Sequence, residues 1–311
     1  MKLRAKQLRS IGGILQSNPS FAFRASEGSP RLHLHSKLWS IRRRRIKAFQ
    51  KIVWEYYRKN RRMMPWRDKV TPYRVFVSEV MLQQTQVARV MEKFPQFMKL
   101  FPSFKALATA PFADVLIAWQ GMGYNRRALY LKKSAAIIMR DYRGRLPRAP
   151  RLLETLSGIG PATARSIAAF AWNSPAVFIE TNIRSVFLHH FFVGRAQVTD
   201  SQLLPFVERA QDRRNPREWY YALMDYGAML KREEKNPSRA SAHHAKQLAF
   251  KGSMRETRGK IIKILSSGAK PYTDAALVKR SAVEPAKIRT ALTGLMRDGL
   301  IKKDGRSFSI V

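Results

Sequence analysis

The stretch that decides the fold is Leu156-Ser157-Gly158-Ile159-Gly160-Pro161-Ala162-Thr163-Ala164. Its glycines permit a positive φ and a close approach of another backbone, and Pro161 suits the first turn of a helix. The free amides of such a turn attract an anion. The stretch therefore predicts a hairpin turn between two helices that binds DNA phosphates through Gly158, Gly160 and Thr163. A simple connector between two helices is the alternative.

Composition narrows the range of partners. The chain has 311 residues, and 59 Lys and Arg face 21 Asp and Glu, which gives a net charge of +38. A balance this basic indicates a polyanion, because Lys and Arg neutralise phosphates and release their counterions. The sequence contains no cysteine, which excludes disulfides and thiolate-held metal clusters. No apolar run approaches the roughly 20 residues of a membrane span.

Residues 1–44 are rich in Lys, Arg and Ser and contain a single acid, Glu27. This composition predicts a basic, disordered extension. It would also suit an organellar presequence, and an over-long gene start would look the same. The sequence leaves these three alternatives open.

The body of the chain has helical periodicity. Apolar residues recur at steps of three and four from Ile46 to Arg61, and a second helix is predicted from Pro72 to about Met91. Nothing before residue 250 alternates with period two, so this part is predicted to be all-α. Residues 231–252 lose periodicity, which is typical of a linker or a solvated loop.

The end of the chain, residues 253–311, is predicted to form a separate unit. Helices are expected at Arg258–Leu265, Thr273–Lys279 and Pro285–Arg297, followed by two strands around Asp304-Gly305. Three helices and a hairpin indicate a winged helix, a DNA-binding variant of helix-turn-helix. A winged helix that docks on protein is the alternative. The predicted DNA contacts on its third helix are Lys287, Arg289 and Thr290.

Further motifs surround the hairpin in a recognisable order. They are Trp66-Arg67, Ser78-Glu79-Val80-Met81-Leu82-Gln83-Gln84-Thr85, Trp119-Gln120-Gly121-Met122-Gly123-Tyr124 and Ala222-Leu223-Met224-Asp225-Tyr226-Gly227. With these motifs, the chain from Ile46 to Leu230 resembles the MutY family of adenine DNA glycosylases. The resemblance implies an all-α, two-lobed helix-hairpin-helix glycosylase fold. Residues 73–189 would form the central lobe and residues 45–72 with 190–250 the second lobe, with the substrate cleft between them.

The implied activity is hydrolytic excision of adenine mispaired with guanine or 8-oxoguanine. Such a reaction needs an acid for the leaving base and an anion beside the sugar cation. The resemblance makes Glu79 the acid, and burial in an apolar helix should raise its pKa. It places Glu180 where the family has its catalytic aspartate, with Asn182 beside it to hold water. A surface or salt-bridged Glu79 is the alternative.

The resemblance also implies the residues that hold the DNA. The base pocket would be lined by Trp66, Arg67 and Leu82. The base opposite the target would be met by Gln84, Thr85 and Tyr124. Ala162 replaces the lysine with which bifunctional relatives form an imine, so base removal without strand cleavage is expected. Tyr221 stands where some members have a glutamate that touches the adenine.

The family's iron–sulfur ligands would fall at Lys231, Ser238, Ser241 and Gln247, none of which suits such a cluster. We therefore expect no cluster, no other metal site and no domain that recognises 8-oxoguanine. The expected partner is mismatched double-stranded DNA, bound by a monomer in the cytoplasm at a bacterial-type nucleoid and not at a membrane. A glycosylase for thymine or uracil opposite guanine, or a non-catalytic mismatch or lesion binder, would also fit.

Overall fold

The computed structural model describes residues 31–234, 236–244, 249–268 and 271–311, with side chains from residue 44. The helices, in chain order, are α1 (Arg31–Asn60), α2 (Pro65–Asp68), α3 (Pro72–Leu82), α4 (Val87–Leu100), α5 (Phe104–Thr109), α6 (Phe112–Ala118), α7 (Arg126–Asp141), α8 (Pro150–Leu153), α9 (Pro161–Trp172), α10 (Thr181–Phe191), α11 (Asp200–Ala210), α12 (Pro216–Glu233), α13 (Met254–Ser267), α14 (Asp274–Ser281) and α15 (Pro285–Arg297). The strands are β1 (Tyr272–Thr273), β2 (Ile301–Asp304) and β3 (Ser307–Ile310). In the described part of the chain, no helix is both long and apolar enough to cross a membrane.

The chain forms two compact units. The first unit comprises Met1–Arg62 and Asn173–Ala245, and the second comprises Met63–Trp172 and Lys246–Val311. These units group the chain differently from the predicted lobes. Helix α10, predicted for the central lobe, belongs to the first unit because it packs against α12.

The core of the first unit is built on aromatic packing around α12, which contacts both α1 and α10. Phe49 of α1 is fully buried, and its ring lies 5.2 Å from that of Phe187 and 6.0 Å from that of Trp219. The backbone amide of Arg62 and its Nε donate to the buried carboxylate of Asp225 at 3.0 and 2.7 Å. This ion pair anchors the segment that follows α1 to α12.

The second unit packs α3 against α4, α7 and α9. Apolar residues on α3 face this core, and Phe76, Val77 and Met81 are fully buried. Trp119, just after α6, is also fully buried, and its indole Nε1 donates to the Gly123 carbonyl at 3.1 Å. The core thus fixes the loop that carries Tyr124.

Residues 253–311, here called the C-terminal segment, contain α13, α14 and α15, which pack pairwise, and an antiparallel sheet in the order β1-β3-β2. The predicted hairpin is present, and Gly305 in its turn has a φ of +55°. The short strand β1 was not predicted, since two residues show no periodicity.

Three predicted boundaries are wrong. The second helix ends at Leu82 and not near Met91, and a separate helix begins at Val87. Helix α1 begins at Arg31, well before the predicted Ile46, while the rest of the predicted basic extension lies outside the described residues. Part of the predicted linker is ordered, because α12 reaches Glu233 and a 3-10 helix spans Pro237–Ala240.

Candidate active site

The predicted phosphate-binding hairpin joins α8 to α9. Gly158 is exposed with a φ of +76°, and a Cβ there would lie 2.6 Å from Cδ2 of Tyr130. Ile159 is 5% exposed, so its side chain anchors the turn, whereas Gly160 has nothing within 4 Å of where its Cβ would be. The first turn of α9, which starts at Pro161, has amides without intrahelical partners that can face an anion.

Gln83 connects this hairpin to the end of α3. Its side-chain Nε2 donates to the carbonyl of Gly158 at 3.2 Å and to Oγ1 of Thr163 at 3.3 Å. Thr163, predicted to contact phosphate, is partly buried at this junction. The hairpin and the helix of Glu79 are therefore held as one assembly.

Glu79 lies on α3 and is partly buried, whereas its neighbours Ser78 and Val80 are buried. The hydroxyl of Ser166, 4% exposed on α9, donates to Oε2 of Glu79 at 2.5 Å. The same hydroxyl lies 3.0 Å from the carbonyl of Thr163. A hydroxyl both donates and accepts, so Ser166 can donate to ionised Glu79 or accept from protonated Glu79 while it donates to Thr163.

Glu180 caps the N-terminus of α10. Its Oε1 accepts from the backbone amides of Asn182 at 2.8 Å and Ile183 at 2.9 Å. Burial raises the pKa of the Glu180 carboxyl, and these amides with the charges of Lys231 and Arg184 offset part of the rise. The amides and the helix dipole favour the ionised form at this position.

Asn182 connects Glu180 to α12. Its Nδ2 donates to Oε2 of Glu180 at 3.2 Å, and its Oδ1 accepts from Nζ of Lys231 at 3.2 Å. One turn earlier on α12, a Cβ on Gly227 would lie 2.3 Å from the carbonyl oxygen of Asn182. The backbone of α12 therefore approaches Asn182 as closely as only a glycine permits. Gly227 and Lys231 together fix the position of Asn182 beside Glu180.

Arg127 on α7 is 7% exposed, and its guanidinium lies among the oxygen atoms that end α3 and form the next loops. These acceptors lie 2.6–3.0 Å from its Nη atoms and belong to Val80, Met81, Gln83, Thr85, Met122 and Gly123. Burial lowers the pKa of Arg127 to about 10, so the guanidinium stays charged at neutral pH. The free carbonyls at a helix C-terminus attract such a cation.

The hydrogen bonds of the Arg127 guanidinium position the residues predicted to meet the opposite base. Gln84 is exposed with a φ of +54°, and Tyr124 is 38% exposed with a φ of +47°. Thr85 accepts from Arg127 at 2.8 Å. Non-glycine residues with positive φ are uncommon and cluster at functional sites. The structure brings all three predicted residues to the end of α3 and the adjoining loop.

The residues predicted to line the base pocket differ in exposure. Trp66 is 4% exposed and its ring lies 5.7 Å from that of Phe94, while Arg67 is 6% exposed. Leu82 is partly exposed at the end of α3. Trp66 and Arg67 are therefore core residues of the second unit in this conformation, and of the three Leu82 presents the most surface.

The predicted contacts of the C-terminal segment lie on α15. Arg289 and Thr290 are exposed there. Lys287 is partly buried instead, and its Nζ donates to the carbonyl of Gly252 at 2.5 Å. Arg289 and Thr290 are therefore accessible to a ligand, whereas Lys287 is held by its own chain.

Sequence reasoning missed the positioning roles of Ser166, Arg127 and Lys231. A signal existed for the first two, since each is a polar residue on the apolar face of an amphipathic helix. Such residues are buried and need a partner. No such signal marks Lys231, which lies in the last turn of α12 beside Arg232 and looks like an ordinary surface lysine.

Comparisons with known proteins show which family the chain resembles. A model of the HhH-GPD superfamily of base excision DNA repair proteins matches residues 77–206. The adenine DNA glycosylase of Mycobacterium tuberculosis is 32% identical over 281 aligned residues, covering 81% of this chain and 90% of that protein. The corresponding protein of Mycolicibacterium smegmatis is 33% identical and covers 81% and 92%.

Solved structures share the fold. A thermostable thymine-DNA glycosylase aligns with a TM-score of 0.55 at 22% identity, covering 62% of this chain and 91% of that one. A non-covalent endonuclease III–DNA complex aligns with a TM-score of 0.50 at 17% identity, covering 60% and 86%. The predicted all-α fold of the helix-hairpin-helix class is confirmed, while the winged-helix assignment of the C-terminal segment stays a prediction.

We predict that Arg127→Met lowers the free energy of unfolding by at least about 3 kcal/mol, because it leaves several buried carbonyls without a donor. The neighbouring Arg126→Met is the matched control, since the Arg126 side chain is 55% exposed. It should change the stability by less than about 1 kcal/mol. Urea denaturation followed by circular dichroism measures both. An equal loss of unfolding free energy in the two variants would contradict the structural role of the Arg127 hydrogen bonds.

Proposed function

This chain belongs to the adenine DNA glycosylase family of the HhH-GPD superfamily, and we propose that it hydrolyses the N-glycosidic bond of adenine mispaired with guanine or 8-oxoguanine. The observation that carries the proposal is Glu79. It lies partly buried on an apolar helix and is hydrogen-bonded to Ser166 of the helix that follows the hairpin. That arrangement presents a carboxyl able to hold and deliver a proton beside a phosphate-binding turn.

In the proposed reaction Glu79 is the general acid. Departure of a purine from its sugar requires a proton on the base, and a carboxyl group supplies it when a neighbouring group accommodates both of its protonation states. Ser166 is that neighbour, because its hydroxyl can donate to Glu79 or accept from it. We propose that the proton passes from Glu79 to N7 of an adenine flipped out of the duplex.

Glu180 is proposed to stabilise the positive charge that develops on the sugar. Three hydrogen bonds to Glu180, from two backbone amides and the Asn182 side chain, use part of the roughly four acceptor sites of a carboxylate. Acceptor capacity remains toward a cation or a water molecule. The family's aspartate is shorter by one methylene, about 1.5 Å, and Glu180 accommodates that length by folding back onto its own helix amides.

Base removal without strand cleavage is the proposed outcome. Ala162 lies exposed in the first turn of α9, where bifunctional relatives carry a lysine. An alanine provides no amine to attack the sugar, so no imine can form at this position. The product would be an abasic site in an intact strand.

The residues at the family's cluster positions do not fit an iron–sulfur cluster, so we propose that the protein lacks one. Lys231 donates to Asn182, and Ser238 and Ser241 are each 3% exposed, with the amide of Ser241 donating to the carbonyl of Ser238 at 3.1 Å. Gln247 lies outside the described residues. Among those residues, no three His, Asp or Glu side chains are placed to hold a metal ion.

The partner is proposed to be mismatched duplex DNA, bound by a monomer at the nucleoid. The hairpin at Gly158 and Gly160 would hold the phosphates, and the net charge of +38 would supply the long-range attraction. The C-terminal segment is proposed to be a winged helix. The exposed Arg289 and Thr290 on α15 support a DNA contact there.

We predict that Glu79→Gln lowers the single-turnover rate of adenine excision by about a hundredfold or more, the usual worth of a general acid. Excision is measured by alkaline cleavage of the abasic product from A:G and A:8-oxoguanine duplexes. The exposed Glu92→Gln on α4 is the matched control and should keep the rate. Excision by the unmodified protein from T:G or U:G duplexes alone would show that the substrate proposal is wrong.

The Glu180 series tests the second carboxylate. We predict that the unmodified protein and Glu180→Asp are active in the same assay, while Glu180→Gln loses about a hundredfold or more because it carries no charge. Activity restricted to Glu180→Asp would identify the natural protein as a non-catalytic mismatch binder. Retained activity in Glu180→Gln would show that the carboxylate that stabilises the sugar cation is not Glu180.

We predict that Lys231→Met shifts the acidic limb of the kcat/KM profile upward by about one pH unit. Glu180 must be ionised to act, so activity falls as the pH falls through its raised pKa. Lys231 and Arg184 are the charges that lower this pKa, and removal of Lys231 lets it rise further. Arg232 is exposed, and Arg232→Met is the matched control, which should not shift the acidic limb of the kcat/KM profile. A downward shift, or none, in Lys231→Met would contradict the assignment.

A further inference from the structure

Tyr124, predicted to meet the base opposite the target, is contacted by two arginines. The guanidinium carbon of Arg127 lies 5.6 Å from the centre of the tyrosine ring, and that of Arg255 lies 5.9 Å from it. Nη1 of Arg255 also donates to the phenolic oxygen at 3.1 Å. Arg127 comes from α7, whereas Arg255 comes from the first turn of α13 in the C-terminal segment.

This contact is supported by a second attachment of the C-terminal segment. The carboxylate of Asp298, which follows α15, accepts from Arg258 of α13 and lies 3.7 Å from Nη1 of Arg126 at the start of α7. Next to it, a Cβ on Gly299 would lie 3.7 Å from Cδ2 of Leu129. Arg258 follows Arg255 by three residues, so both point from the same face of α13. Asp298 therefore fixes the face that presents Arg255.

The surroundings suit a polyanion. Exposed Arg89 donates to the carbonyl of Gly121 at 2.9 Å, and the exposed Arg126 side chain lies beside the same loop. Arg255 adds a further cation at Tyr124. Aromatic rings flanked by arginines are the usual elements of contacts to unstacked nucleotides.

We propose that Arg255 is a positioning residue of the opposite-base site, through which the C-terminal segment sets Tyr124 against the nucleotide that faces the excised base. The inference rests on the proposed function and extends it, because it assigns part of the opposite-base site to a segment outside the glycosylase motifs. The hydrogen bond from Arg255 restricts the Tyr124 side chain, and the Tyr124 backbone is itself held at a positive φ. Without that bond, the ring would have to be ordered when DNA binds, at a cost in affinity.

The test measures Kd and the single-turnover rate on A:G, A:8-oxoguanine and A:C duplexes. Arg255→Ala should raise the Kd for the preferred duplex by about tenfold. The differences in Kd among the three opposite bases should become smaller. The single-turnover rate at saturating DNA should change less than the Kd. Arg255→Lys should restore part of the affinity, since an ammonium can still donate to the phenol. Lys263→Ala, which removes a charge from the exposed side of the same helix, is the matched control.

Tyr124→Phe isolates the hydrogen bond, because it keeps the ring and removes only the phenolic oxygen. In the Tyr124→Phe protein, Arg255→Ala should raise the Kd for DNA markedly less than it does in the unmodified protein. An Arg255→Ala effect equal to that of Lys263→Ala, or one that is unchanged in the Tyr124→Phe background, would overturn the inference. Absence of excision by the unmodified protein on every duplex would instead overturn the proposed function, while the binding comparison would still decide the role of Arg255.

Discussion

The buried guanidinium of Arg127 determines the shape of the surface proposed to bind DNA. It is one cation enclosed by backbone carbonyls at the negative end of α3 and in the loop before α7. By binding those carbonyls it ends the helix at Leu82 and compensates for the positive φ at Gln84 and Tyr124. The predicted opposite-base residues and the attachment of Arg255 both depend on this arrangement.

Two candidate carboxylates, Glu79 in the second unit and Glu180 in the first, have environments suited to different roles. Glu79 meets a hydroxyl, which accommodates either protonation state, whereas Glu180 meets two amides, an amide side chain and, through Asn182, the charge of Lys231. Environments that separate the protonation of two acids are what assign one of them as acid and the other as anion. The roles proposed for the two carboxylates therefore rest on their neighbours on α9 and α12 as much as on the carboxylates themselves.

The region in which the family's cluster positions fall makes packing and hydrogen-bond contacts with the rest of the first unit. The 3-10 helix Pro237–Ala240 packs against α10, and the amide of Val198 donates to the carbonyl of Ala240 at 2.9 Å. Lys231, at the first of the cluster positions, contributes to the site itself by its hydrogen bond to Asn182. Lys231 and Asn182 thus form a polar connection between α12 and the start of α10.

The sequence by itself determined the all-α class and the hairpin around Ile159, because local patterns of glycine, proline and apolar periodicity fix such features. Glu79 and Glu180 were singled out by the resemblance of the sequence to the family. Only the tertiary structure decided where α3 ends and what touches each carboxylate. Arg127 lies 47 residues from Val80, and Lys231 lies 49 residues from Asn182. No local pattern records such pairs, since they form only when packed helices bring distant side chains together.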